Sequence, residues 1–93
     1  MAQDPYAVGW TGVSRRALGT LPEKVATAAA EFVYGSLAGS PYRVGKPLRL
    51  GLEGLHSARR GDYRVIYRIE DDRRVVTVMA IEHRSDVYRP RHL

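Results

Sequence analysis

The sequence predicts an α+β domain: a small antiparallel sheet, two N-terminal helices packed on one of its faces, and a short C-terminal helical tail. Three observations lead there. An apolar stripe at helical spacing runs through "VATAAAEFVYGSLA", and three strand-like segments joined by tight turns follow one another between residues 55 and 83. The third is length: 93 residues allow one modest core, so residues 1 to 93 are expected to form a single domain.

Taken in order, "PYAVGW" is rich in aromatic and β-branched residues and reads as a first strand ending at Thr11-Gly12. "VSRRALG" reads as a short helix. In "TLPEK", Thr20 is placed to cap the next helix and Glu23 to close a capping box, with Pro22 in the first turn. That helix carries Val25, Ala28, Ala29, Phe32 and Leu37 on one stripe and stops at Gly39, ahead of Pro41. From Ser40 to Gly54 the glycines and prolines predict a loop with room for a short edge segment. Strands are then expected at roughly 55 to 60, 62 to 70 and 74 to 83, turning near Gly61 and at Asp71-Asp72 in an antiparallel meander. In the second of these, Tyr63, Val65, Tyr67 and Ile69 share one face and Arg64, Ile66 and Arg68 the other. "VVTVMAI" is apolar on both faces, which predicts a central strand covered, in part, on both sides. Ser85 is placed to cap a short helical tail that Pro90 limits.

The formal net charge is +5, and it is unevenly placed. Up to Tyr42 three basic residues balance three acidic ones, whereas from Arg43 onward twelve face seven, so the whole excess lies in the C-terminal half. Most of these cations are arginines, whose planar fork grips phosphate in a fixed orientation, and a polyanionic partner is the leading reading beside that of a merely soluble surface. The absence of cysteine excludes a disulfide scaffold, a thiolate metal site and a cysteine nucleophile, and fits a reducing cytoplasm. "VATAAAEFV", the longest apolar run, is too short to span a bilayer and lacks the position and flanks of a signal peptide, so no membrane association is expected. His83 with Asp86 lacks a third metal ligand, and neither metal nor cofactor is expected.

The order strand, two helices, three-stranded meander and tail, with "GLHSARRGDYRVIYRI" and the terminal "HRSDVYR", resembles the RelE family of toxins in the RelE/ParE superfamily. The resemblance covers nearly the whole chain. It implies a toxin of a type II toxin–antitoxin system that cleaves mRNA in the ribosomal A site and inhibits translation. It also implies a RelB-like antitoxin, in a hetero-oligomer that binds operator DNA through the antitoxin. Two alternatives stay open: a ParE-like, non-enzymatic inhibitor of gyrase, and an RNA-binding relative without chemistry.

Cleaving RNA without a metal requires a base for the 2′-OH proton, cations for the phosphorane and an acid for the departing 5′-oxygen. Arginine answers only the second need, since it stays protonated. Arg64 matches the family's phosphate-binding arginine of the "YR" pair and Tyr88 its tail tyrosine; His83 lies in that tail segment, and Arg84 beside it is expected to clamp phosphate and stabilise charge. His83 is the expected proton carrier, ahead of His56 and His92, because an imidazole titrates near neutrality. Tyr88 is expected to stack on a base or assist the relay. Lys46, Arg49, Arg59, Arg60, Arg68 and Arg89 are expected to bind the RNA backbone. Family members often carry lysines on the strand before the "YR" arginine, where this chain reads "LHSARRG", so the general base is left unassigned.

Overall fold

Strand β4 (Tyr63–Glu70) alternates between two environments, and the architecture follows from that alternation. Tyr63, Val65 and Tyr67 are buried; Arg64 and Ile66 are half-buried and Arg68 is exposed. One face of the strand must therefore be covered. In the computed structural model, which describes residues 4–48 and 54–83, helices cover it. Strand β1 (Ala7–Trp10) leads into helix α1 (Gly12–Thr20) and helix α2 (Glu23–Phe32), which continues as a π-helical stretch, Val33–Leu37. The short helix α3 (Pro41–Val44) and edge strand β2 (Lys46–Pro47) follow, then β3 (Leu55–Arg60), β4 and β5 (Val75–His83).

The core joins Ala29, Phe32, Val33 and Leu37 of the helical segment to Ala58, Tyr63, Val65, Tyr67, Val76, Val78 and Ile81 of the sheet, with Ala17, Leu18 and Val25 packed beside them. Both N-terminal helices thus lie on one face, as the sequence predicts. The strand order is β1-β5-β4-β3-β2. Strands β2 to β5 pair antiparallel, but β1 lies parallel to β5, so the sheet is mixed rather than wholly antiparallel. An internal β5 needs a ladder on both sides, and the short β1 supplies the second one. β5 is buried at Val76, Val78 and Ile81 and half-buried at Val75, Thr77 and Met79, which matches a strand covered fully on one side and partly on the other.

Local signals hold with two corrections. Thr20 does not cap α2: α1 extends through it, and its hydroxyl donates to the Ala17 carbonyl at 2.8 Å. Pro22 takes the N-cap position instead, with no side-chain cap bond, so the capping box does not form. The capping threonine is Thr11, whose Oγ1 accepts from the Ser14 amide at 3.0 Å at the start of α1. On the helical stripe Ala28 is exposed and Val33 takes its place in the core. The expected loop from Ser40 carries α3 and the edge segment β2.

Two side-chain clusters tie the irregular parts down. Asp71, in the β4–β5 turn, accepts hydrogen bonds from the phenols of Tyr6 (2.6 Å) and Tyr42. These hold its carboxyl below the ordinary range, the Tyr42 bond contributing most, and push the Tyr42 phenol up to about 12. On the helix face Tyr67 donates from a buried hydroxyl to the Pro41 carbonyl at 2.6 Å and stacks on His56, which meets Tyr42 edge-on. Gly45 follows, with no room for a side chain: a Cβ there would run into the Tyr67 hydroxyl and the Ser57 carbonyl. This packing brings Lys46 onto the edge of the sheet.

Candidate nucleic-acid interface

Cross-strand pairs share a face of the sheet, so the register sorts the cations. Arg59 on β3 stands opposite Arg64 on β4, which stands opposite Glu82 on β5. The neighbouring row on the same face is Lys46, Ser57, Ile66 and Ala80. Lys46, Arg59 and Arg64 line one cleft of about 410 Å³, together with Ser57, Leu48, Pro47, Val44 and Gly45. Three donors converge there over a floor that is partly apolar. Like charges set directly opposite repel, and Arg59 facing Arg64 is an arrangement that an anion between them would relieve. Arg68 shares the face but sits four residues further along β4, roughly 13 Å away by the strand rise.

The alternate row faces the helices. Arg60, Tyr63 and His83 stand in line there, and the Arg60 guanidinium lies over the Phe32 ring at 5.1 Å from its centroid. Arg60 was expected on the RNA-binding surface with Arg59; the pairing of β3 with β4 puts it on the opposite side of the sheet. His83 is likewise not brought beside Arg64, because its partner is Tyr63.

A β-bulge causes this. Ile66 pairs with Ala80 and Tyr67 with Val78, so Met79 is an extra residue on β5 and every position after it changes face. The N-terminus of α1 pins the bulge: Thr11 and the buried Ser14 donate from their hydroxyls to the carbonyls of Met79 (3.2 Å) and Val78 (2.8 Å). Without the bulge His83 would share the Arg64 face. With it, Glu82 does, and the Arg64 Nε lies 4.0 Å from the Glu82 Oε1. Sequence reading missed Glu82 for this reason. It also passed over Ser57 as a cleft residue.

His56, a weaker candidate, is half-buried between Tyr42 and Tyr67 on the helix side, and burial lowers its pKa. Its Nδ1 is buried with no hydrogen-bond partner among the described residues. Trp10 is half-buried and donates from Nε1 to the Tyr34 hydroxyl at 2.8 Å, as a packing or surface residue rather than a platform in the cleft. Arg49, Arg84, Tyr88, Arg89, His92 and the expected tail helix lie outside the described residues. Among the described residues no group of three or more His, Asp or Glu side chains is arranged to hold a metal ion. No described helix is long and apolar enough to cross a membrane.

The described helices back one face of the sheet and the cationic cleft lies on the other; comparison with known proteins gives the class, a toxin of a type II toxin–antitoxin system. The family model for the ParE toxin of the type II system parDE matches residues 16–88. The chain is 55% identical to the toxin RelE of Mycobacterium tuberculosis over 85 residues, covering 91% of this chain and 88% of that one. It is 48% identical to the toxin RelG of the same organism over 85 residues, covering 91% and 98%. The crystal structure of the toxin–antitoxin complex RelBE2 from Mycobacterium tuberculosis superposes with a TM-score of 0.84 at 48% identity, covering 88% of this chain and 94% of that one. The chain belongs to the RelE family of toxins within the RelE/ParE superfamily.

Proposed function

We propose that this toxin is a ribosome-dependent endoribonuclease that cleaves mRNA in the A site without a metal, and that the Lys46–Arg59–Arg64 cleft holds the scissile phosphate. The observation that carries the reading is the convergence of those three donors in one cleft, on the sheet face opposite the described helices. The 2′-oxygen of the nucleotide attacks the adjacent phosphorus, the bond from phosphorus to the 5′-oxygen breaks, and a 2′,3′-cyclic phosphate and a 5′-hydroxyl result. Arg64 and Arg59 hold the non-bridging oxygens and stabilise the charge that builds on them, and Lys46 takes a flanking phosphate. Water protonates the departing 5′-oxygen. Tyr88, by its match to the family's tail tyrosine, stacks on a base, and Arg84 and Arg89 of the same segment add phosphate contacts. Arg68 and Arg49 extend the path of the RNA backbone.

The gyrase-inhibitor alternative draws on the name of the matching family model, but relatives of about half identity carry RelE-type names, and these favour the ribonuclease. The partner is a RelB-like antitoxin, since a relative of 48% identity is solved in a toxin–antitoxin complex. The pair acts in the cytoplasm, and its hetero-oligomer binds operator DNA through the antitoxin. Induction of the toxin alone, with primer extension on cellular transcripts and a topology assay with gyrase in parallel, tests the function. Breaks within translated mRNA support it; gyrase-linked DNA breaks with intact transcripts overturn it.

A further inference from the structure

The cleft supplies cations but leaves the proton of the 2′-OH without a taker. On that face arginines stay protonated, the Lys46 ammonium offers donors and no acceptor, and the Ser57 hydroxyl is a poor base. The described residues of the face include two carboxylates. Glu70 lies at the far end of β4 and is engaged, accepting from Arg73 at 3.1 Å and from Thr77 at 3.2 Å. Glu82 ends the Arg59–Arg64–Glu82 row, half-exposed. Its contact with Arg64 is 4.0 Å, too long for a hydrogen bond, so both carboxylate oxygens keep lone pairs to offer. The placement of Glu82 has an origin in the register as well. A bulge pinned by Thr11 and Ser14 is what turns Glu82 rather than His83 onto the cationic face.

We infer that Glu82 is the general base of the cleavage, resting on the endoribonuclease reading above. One of its carboxylate oxygens takes the 2′-OH proton as the 2′-oxygen bonds to phosphorus; the phosphorus–5′-oxygen bond breaks, its electron pair leaves on the 5′-oxygen, and water supplies the proton there. Arg64, between Glu82 and Arg59, places phosphate and base side by side. Proton acceptor and phosphate clamp then belong to one cross-strand row, and no group from the helix side of the sheet is needed.

Single-turnover cleavage of mRNA on programmed ribosomes tests this, with wild type measured first. If wild type does not cleave, the endoribonuclease reading falls and takes the inference with it. If wild type cleaves, Glu82→Gln is expected to lower the rate about 10² to 10⁴-fold. Glu82→Ala is expected to regain rate as formate is added, and not with chloride at the same ionic strength, because a small carboxylate can occupy the vacated place. Both variants are checked for an unchanged thermal melt, and Glu82→Asp is expected to keep part of the activity. Glu82→Gln cleaving at or above the wild-type rate would make Glu82 a mere counter-ion of Arg64. A loss in Glu82→Ala that formate leaves untouched would overturn the inference equally, with the endoribonuclease reading still standing.

Discussion

Arg59 and Arg64 face each other directly across β3 and β4, two guanidinium groups in one cross-strand pair. Like charges directly opposite across a ladder are destabilising, and an anion held between the two forks would offset the repulsion. Arg59→Thr is therefore expected to raise the melting temperature slightly or leave it unchanged while lowering mRNA cleavage. Inorganic phosphate should stabilise wild type more than the variant. Equal stabilisation of both in thermal melts would show that the pair does not bind phosphate.

Arg64 occupies a rigid internal strand, which fixes the plane of its fork. Arg64→Lys keeps the charge and loses the bidentate geometry, so it is expected to be nearly as damaging as Arg64→Ala, with a loss of about 10² to 10³ in rate. Growth arrest on induction, with antitoxin binding as a check on folding, measures this. Arrest at the wild-type level by the lysine variant would remove the fork-specific role.

The two faces of the sheet should behave differently. Arg60→Ala and His83→Gln change the helix-side row and are expected to leave cleavage within a few-fold of wild type; Arg60→Ala should also lower thermal stability by about 0.5 to 1 kcal/mol through the lost contact with Phe32. A loss in His83→Gln as large as that in Arg64→Ala would contradict the assignment of faces.

Gly45 lines the cleft where the chain passes from α3 to β2. Gly45→Ala would set a Cβ against the Tyr67 hydroxyl and within 2.8 Å of the Ser57 carbonyl, and backbone on that side cannot give way cheaply. A loss of about 1 to 3 kcal/mol is expected in denaturant unfolding. Parent-like stability would mean that the approach is looser than described.

His56 provides a pH dependence of stability. Burial lowers its folded-state pKa below the ordinary value, so its contribution is present above about pH 6.5 and is lost as the pH falls through the folded-state value. The melting temperature of wild type should fall on going from pH 7 to 5 more steeply than that of His56→Phe. Parallel slopes would assign the acid sensitivity to other groups.

Much of this molecule is legible in its sequence, for local reasons. The alternation of "YRVIYRI" and the turns at Gly61 and Asp71 place β3 to β5 within a residue of their observed bounds, because side-chain period and turn chemistry are properties of short segments. The likeness of "GDYRVIYRI" to the RelE pattern led to Arg64. Non-local choices were not legible. Nothing in "AVGW" says that it pairs parallel with β5, and nothing in "VVTVMAIEH" announces the extra residue at Met79. That single insertion exchanges His83 for Glu82 on the cationic face. It arises from contacts of Thr11 and Ser14 with a strand more than sixty positions away in the chain. Arg60 was misplaced for a simpler reason: adjacent residues of a strand point to opposite faces, so "RR" cannot put both arginines in one cleft.

The most direct measurement of the central claim, that the Lys46–Arg59–Arg64 cleft cleaves ribosome-bound mRNA, is single-turnover cleavage of one defined mRNA on programmed ribosomes, with the ends of the products identified. Wild type is expected to yield a 2′,3′-cyclic phosphate and a 5′-hydroxyl, and Arg64→Ala, Arg59→Ala and Lys46→Ala to lose rate where Arg60→Ala does not. Intact mRNA with wild type, or cleavage that survives in all three cleft variants, would contradict it.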